Sequence, residues 1–147
     1  MKKQAFVAAV ALAAVFAAEA QVKPEDQIKQ RRSGYAVMGY NFANLGAMAQ
    51  EKKPYNKEEA GKSADLVAAL SDYMKGHFGE GTDKGAETKA KHEIWEKRAD
   101  FDSKMDKMVT EAKKLPAAAR TDLPALKVAV GEAGKACKAC HDDYRAK

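Results

Sequence analysis

The chain has 147 residues, of which 46% are hydrophobic, 32% charged and only 7% aromatic, enough for one domain built around one core. Its net charge of +5 comes from 26 basic side chains scattered among 21 acidic ones. With no block of like charge and no interleaved aromatic platform, a nucleic-acid partner is not expected.

The first 20 residues differ from the rest. Met1-Lys2-Lys3 is a basic start, Ala5 to Ala18 is an apolar run, and Ala18-Glu19-Ala20 fits a small-x-small cleavage site. Residues 1–20 therefore read as a signal peptide, the mature chain as 21–147, and the destination as the periplasm. The apolar run is shorter than the ~18–20 residues that span a bilayer, so no membrane span is expected after cleavage. Loss of Lys2, Lys3 and Glu19 leaves 24 basic and 20 acidic side chains, a mature charge of +4.

A first helix is predicted from Pro24-Glu25-Asp26 to about Gln50, since proline suits the first turn and acids suit the positive end of the helix dipole. Its seam reads Ile28, Arg31, Tyr35, Met38, Phe42, Leu45, Ala49, alternating threes and fours. Asn56 with Glu59 three residues later predicts the cap of a second helix, with a stripe of Leu66, Leu70, Tyr73 and His77. Gly79, Gly81 and Gly85 open a long polar connection that continues through Lys91. The third helix is predicted to start close to His92, to carry Ile94, Arg98, Phe101, Met105, Met108, Ala112 and Leu115, and to end at Pro116. After an Ala-Ala-Ala-Arg link, Thr121 or Asp122 caps a fourth helix with Leu126, Val130, Ala133, Cys137, Cys140 and Tyr144 facing inward. Period-two alternation is absent, so the fold class is all-α, an antiparallel four-helix bundle running up-down-up-down.

Cys137-Lys138-Ala139-Cys140-His141 is the attachment pattern for c-type haem: two thiols add across the porphyrin vinyl groups and the imidazole binds iron. On a helix the three side chains stand at i, i+3 and i+4, on one side, where one flat macrocycle meets all of them. Three other chemistries use similar residues. Zinc needs four ligands, and the remaining histidines, His77 and His92, lie far off in sequence. A thioredoxin-like pair needs a strand and helix context, and a plain disulfide across so small a loop adds little stability and leaves His141 without a role. One haem c, covalently held by Cys137 and Cys140 with His141 on the metal, is the expected cofactor.

The segments Lys23–Arg31, Phe78–Gly85, Ile94-Trp95 and Val130–Arg145 occur in the order found in the cytochromes c′, and from Gln21 onward the chain resembles that family, the class II c-type cytochromes. The resemblance implies that His141 is the sole protein ligand of a five-coordinate iron, and that Arg31 and Arg32 approach the haem propionates. It also implies that Tyr35 covers the open iron face and that Thr88 and Lys89 border the haem. Arg32 stands where the family often has glutamine, and Lys89 where it often has an acid. Relatives are commonly homodimers built from the first two helices. The residues alone leave alternatives: Arg31 on a seam either pairs with an anion or escapes to the surface, and Tyr35 is either a cover or an ordinary core tyrosine. Met38, Met48, Met74, Met105 and Met108 are alternative sixth ligands, although stripe methionines usually pack. Arg145, one turn beyond His141, either sets the field at that imidazole or simply suits the helix dipole.

Three functions follow. The first is electron transfer between Fe(II) and Fe(III) with redox partner proteins. The second is capture of nitric oxide or carbon monoxide at the open iron position. The third, an enzyme such as a peroxidase, is not expected, because no distal histidine or acid is evident to cleave an O–O bond.

Overall fold

A computed structural model describes residues 22–147, so the predicted signal peptide lies outside the described residues. Among the described residues six helices are present: α1 (Pro24–Ala49), α2 (Lys57–Lys75), α3 (Glu93–Glu96), α4 (Arg98–Ala112), α5 (Leu115–Thr121) and α6 (Leu123–Tyr144). The four long arms α1, α2, α3–α4 and α6 form the antiparallel bundle, running up-down-up-down. α1 packs on α2 and α6, and α4 packs on the same two helices from the opposite side, which closes a ring.

Local chemistry sets the helix ends. Pro24 lies in the first turn of α1 with Glu25 and Asp26 beside it. Asn56 Oδ1 accepts from the Glu59 amide at 2.9 Å, and Asp122 Oδ1 accepts from the Ala125 amide at 2.8 Å. The Glu59 carboxylate does not complete a reciprocal box. It accepts instead from Asn44 Nδ2 at 3.1 Å and from Lys53 Nζ, tying the α1–α2 link to α2.

The α2 stripe differs from its prediction. Leu66 and Tyr73 are 47% and 62% exposed, Leu70 and His77 are half-buried, and the buried face is Ala60, Gly61, Ser63, Ala64, Val67, Ser71 and Met74. α2 is packed on two sides, by α1 and by α5, so small residues rather than large apolar ones line its contacts. The α1–α2 approach is close enough that a Cβ at Gly34 would stand 2.3 Å from Met74 Sδ.

The third arm also departs from expectation. Helical geometry breaks at Lys97 (φ −112°, ψ 44°), so that Trp95 Nε1 and Arg98 Nη1 donate to successive loop carbonyls, Gly79 O at 2.8 Å and Phe78 O at 2.7 Å. α4 stops at Ala112. Pro116 does not end a helix but sits in the first turn of α5, and the predicted Ala-rich link is that helix. Leu115 and Ala119 of α5 are fully buried and close one end of the bundle with Leu45, Met48 and Leu126. Among the described residues the other end has no such plug. There Phe78, Ile94, Phe101, Met105, Met108, Cys140 and Tyr144 form a second cluster, and Tyr35 packs against both.

Candidate haem cleft

Between the two clusters lies a cleft of about 540 Å³, within the roughly 300–1,000 Å³ of small-molecule and cofactor sites. α1, α4, α6 and the loop after α2 supply its walls. All eight residues singled out from the sequence line it: Cys137, Cys140, His141, Arg31, Arg32, Tyr35, Thr88 and Lys89.

The last turns of α6 bring Cys137, Cys140 and His141 to the same wall, as the i, i+3, i+4 spacing requires. Both cysteines are free thiols, Cys140 buried and Cys137 half-buried. Burial pushes the Cys137 thiol up, and burial together with Cys137 pushes Cys140 up to about 11. Burial in the cleft and then the Arg145 cation hold the His141 imidazole below its ordinary value, which keeps a ring lone pair free at neutral pH. Among the described residues no group of three or more His, Cys, Asp or Glu side chains is arranged to hold a metal ion by itself.

Arg31 is 3% exposed. Nη1 donates to His77 O at 3.0 Å and to Thr82 Oγ1 at 3.1 Å, while Nη2 donates to Thr82 O and Thr88 Oγ1, both at 2.8 Å. The guanidinium also lies 4.7 Å from the Phe78 ring centroid. Every one of these partners is neutral, so a buried cation faces the cleft with no carboxylate against it among the described residues. Burial accordingly lowers its affinity for the proton. The surface-escape alternative is thereby removed. Arg32 differs: it is exposed and pairs with Glu87 at 3.0 Å across the cleft mouth. Thr88 Oγ1 also accepts from the Ala90 amide at 3.1 Å. Lys89 O accepts from the Ala146 amide at 2.8 Å, part of a short antiparallel bridge between the loop and the end of α6.

Tyr35 stands on the α1 wall with its hydroxyl 3.9 Å from Met105 Sδ. Burial raises its phenol well above the usual range, followed by the effect of Cys140, so it stays protonated at neutral pH. Of the five methionines considered as ligands, Met38, Met105 and Met108 line the cleft. Met48 packs in the closed end and Met74 against Gly34.

Sequence reasoning did not single out Phe78, Glu87 or Tyr144 as cleft residues. Tyr144 was on the α6 seam, where its role reads as packing, and the loop residues Phe78 and Glu87 carry no periodic signal.

A four-helix bundle whose Cys-x-x-Cys-His motif opens onto an apolar cleft with a buried cation defines a c-type haem protein. Comparison with known proteins narrows this. The cytochrome c′ family model matches residues 26–145, and the chain belongs to the cytochrome c′ family. Cytochrome c′ of Rubrivivax gelatinosus is 41% identical over 126 residues, covering 85% of this chain and 98% of that protein. Its crystal structure superposes with a TM-score of 0.82 at 40% identity, again over 85% and 98% of the two chains. A nitric oxide complex of a variant cytochrome c′ from Alcaligenes xylosoxidans is 35% identical with a TM-score of 0.78, over 86% and 98%. A cytochrome c′ described by its ligand-controlled dimer dissociation is 34% identical with a TM-score of 0.81, over 87% and 100%.

Proposed function

We propose that this is an exported, periplasmic electron carrier, not an enzyme, holding one haem through thioether bonds from Cys137 and Cys140 with His141 as its only protein ligand. Haem bound in the cleft supplies an iron that cycles between ferrous and ferric states and offers one further coordination position to small ligands. The neutral His141 imidazole is the ligating form, and the two thiols on the same face fix the macrocycle against α6. Arg31 meets a propionate with its uncompensated charge, Arg32 and Lys89 flank the cleft mouth, and Thr88 holds Arg31 in place. The observation that carries the reading is this convergence: two thiols and an imidazole on one wall, and a buried guanidinium without a carboxylate on the rim of the same cleft.

A second reading, capture of nitric oxide or carbon monoxide, is favoured by Tyr35. Its protonated phenol is a poor ligand, so it covers the iron position by bulk and favours diatomic molecules over larger ones. The nitric oxide complex of the Alcaligenes relative supports this reading. Homodimer formation is supported by Val37, Tyr40, Leu66 and Tyr73, exposed apolar side chains on α1 and α2. Among the described residues no helix is long and apolar enough to cross a membrane.

The test is a denaturing haem stain and a resonance Raman spectrum of periplasmic protein. Haem retained through denaturation in the wild type and lost in the C137A/C140A double variant, with a high-spin five-coordinate ferrous spectrum, is the expected result. A low-spin ferrous spectrum with a methionine charge-transfer band in the ferric form sinks the five-coordinate reading, and loss of haem from denatured wild type sinks the attachment.

A further inference from the structure

Two tyrosines line the cleft, and they differ in what their hydroxyls touch. Tyr35 meets the Met105 thioether, a weak acceptor that does not take up a proton in water. Tyr144 is 4% exposed, lies three residues beyond His141 on α6, and donates its hydroxyl hydrogen to Oδ2 of Asp100 on α4. The Asp100 side chain is more than half exposed, so a proton placed on it has a path to solvent. Lys104 Nζ donates to the same carboxylate at 2.9 Å and to Asp143 Oδ2 at 2.7 Å, and stands 5.5 Å from the Tyr144 ring centroid. Phe101 packs edge-on against that ring, 5.3 Å between centroids at 88°, and shields it from the bulk.

A phenol that loses one electron becomes a very strong acid, so its oxidation is accessible only where a base in contact takes the proton at the same time. Asp100 is such a base, and Met105 is not. The Lys104 ammonium reinforces the difference, because a cation over the ring opposes any positive charge that would build up there. The electron then leaves Tyr144 only together with its proton.

We propose that Tyr144, with Asp100 as its proton acceptor, is a proton-coupled electron donor to the cleft, draining oxidising equivalents that would otherwise attack Met105. The proposal rests on the haem-binding reading above. Its co-reactant is an alkyl hydroperoxide. ROOH takes up two electrons and two solvent protons, its O–O bond breaks, and ROH and H₂O form. One electron comes from ferrous iron, which becomes ferric. The other comes from Tyr144, whose proton passes to Asp100, leaving a neutral phenoxyl radical beside a carboxylic acid. Among the described residues the one acid that lines the cleft, Glu87, is tied to Arg32 at its mouth at 3.0 Å, so the step is assigned as a slow side reaction against which a drain protects.

A buried tyrosine needs a hydrogen-bond partner in any case, so the test separates proton acceptance from hydrogen bonding. Ferrous holoprotein, with covalent haem verified by denaturing stain in every variant, is mixed with tert-butyl hydroperoxide and freeze-quenched for electron paramagnetic resonance. Wild type and Y35F are expected to give a tyrosyl radical. Y144F and D100N are expected to lower it to background and to raise Met105 sulfoxide several-fold by peptide mass spectrometry. D100N keeps a carbonyl oxygen to accept the hydrogen bond but is not a base. No radical in wild type, a signal unchanged in Y144F or D100N, or a signal abolished by Y35F overturns the proposal while haem attachment stands. A chain that carries no covalent haem overturns the underlying reading and this proposal with it.

Discussion

Removing haem should unfold much of the open end of the bundle. The cleft measures about 540 Å³ and its walls are mostly apolar side chains from α1, α4 and α6. At about 24 cal/mol per Å³ of unfilled core, an empty space of that size would cost about 13 kcal/mol, comparable with the whole stability of a domain at roughly 5–15 kcal/mol. That figure is a ceiling, because the cleft opens to solvent and its walls can collapse inward. Even a third of it, about 4 kcal/mol, is enough to melt the weaker end of a marginal fold. The end closed by α5, with Leu45, Met48, Leu115, Ala119 and Leu126 packed together, should retain helix while Phe78, Phe101, Met105 and Tyr144 lose fixed packing. Far-ultraviolet circular dichroism with urea titration of the haem-free C137A/C140A chain is the assay. Reduced helicity and a broad, early transition are expected. A cooperative melt at the holoprotein's midpoint with full helicity would show that the walls do not depend on what fills them.

Other perturbations have equally definite outcomes. Arg31→Met should destabilise the holoprotein by about 2–4 kcal/mol in urea unfolding, because it leaves His77 O, Thr82 O and Thr82 Oγ1 without their donor and Thr88 Oγ1 with only the Ala90 amide. Tyr35→Ala should speed and tighten carbon monoxide binding by roughly tenfold, about 1.4 kcal/mol, while the spin state stays high; flash photolysis and Raman spectroscopy measure both. Glu111 is 4% exposed between Lys107 and Lys114, which hold its carboxylate below the ordinary range. Its folded pKa being depressed, its contribution is full above the unfolded value near ~4.3 and is lost as pH falls from there through the folded value. The difference in melting temperature between wild type and Glu111→Gln should therefore shrink on acidification below about pH 5 and be constant above it. Leu66→Glu on the exposed α2 face should shift the protein toward monomer in sedimentation velocity if that face joins two copies.

The periodicity of apolar residues identified α1 and α6 closely, because each has one continuous seam and a marked start: Pro24 with two acids, and Thr121 or Asp122 as a cap, of which the structure uses Asp122. It misplaced α2 by assuming that the largest apolar residues face inward. A helix gripped on two sides buries Ala60, Gly61, Ser63 and Ala64 instead and leaves Leu66 and Tyr73 outside, and hydropathy alone does not distinguish a close contact from a polar surface. The break at Lys97 was equally hidden, since its cause lies in loop carbonyls some 18 residues back in sequence, held by Trp95 and Arg98. The site was more legible than the fold around it. A motif at fixed spacing announces Cys137, Cys140 and His141, and a charged residue on a seam announces Arg31, whereas Glu87 and Phe78 owe their places to the course of the loop. Tyr144 was visible only as a packing residue, because the carboxylate that gives it chemistry belongs to another helix.

Arg31 joins the fold to the cleft through the loop. The segment from His77 to Lys91 has few apolar anchors: Phe78 packs inward, Thr82 is fully buried, and Gly81 turns the chain at φ +77°. What orders it is donors from outside: Arg31 to three of its residues, Trp95 and Arg98 to Gly79 O and Phe78 O, and the Lys91 amide to Tyr144 O at 3.0 Å. The same loop carries Thr88 and Lys89 to the rim of the cleft and is bridged to α6 at Arg145, beside His141. A guanidinium that holds four neutral acceptors while facing the cleft is stabilised further by any anion that enters, since a buried charge gains most from a partner where water is scarce. Occupation of the cleft by an anionic cofactor and ordering of the loop are therefore one coupled equilibrium: whatever tightens Arg31 also fixes the rim residues through which partners and ligands approach.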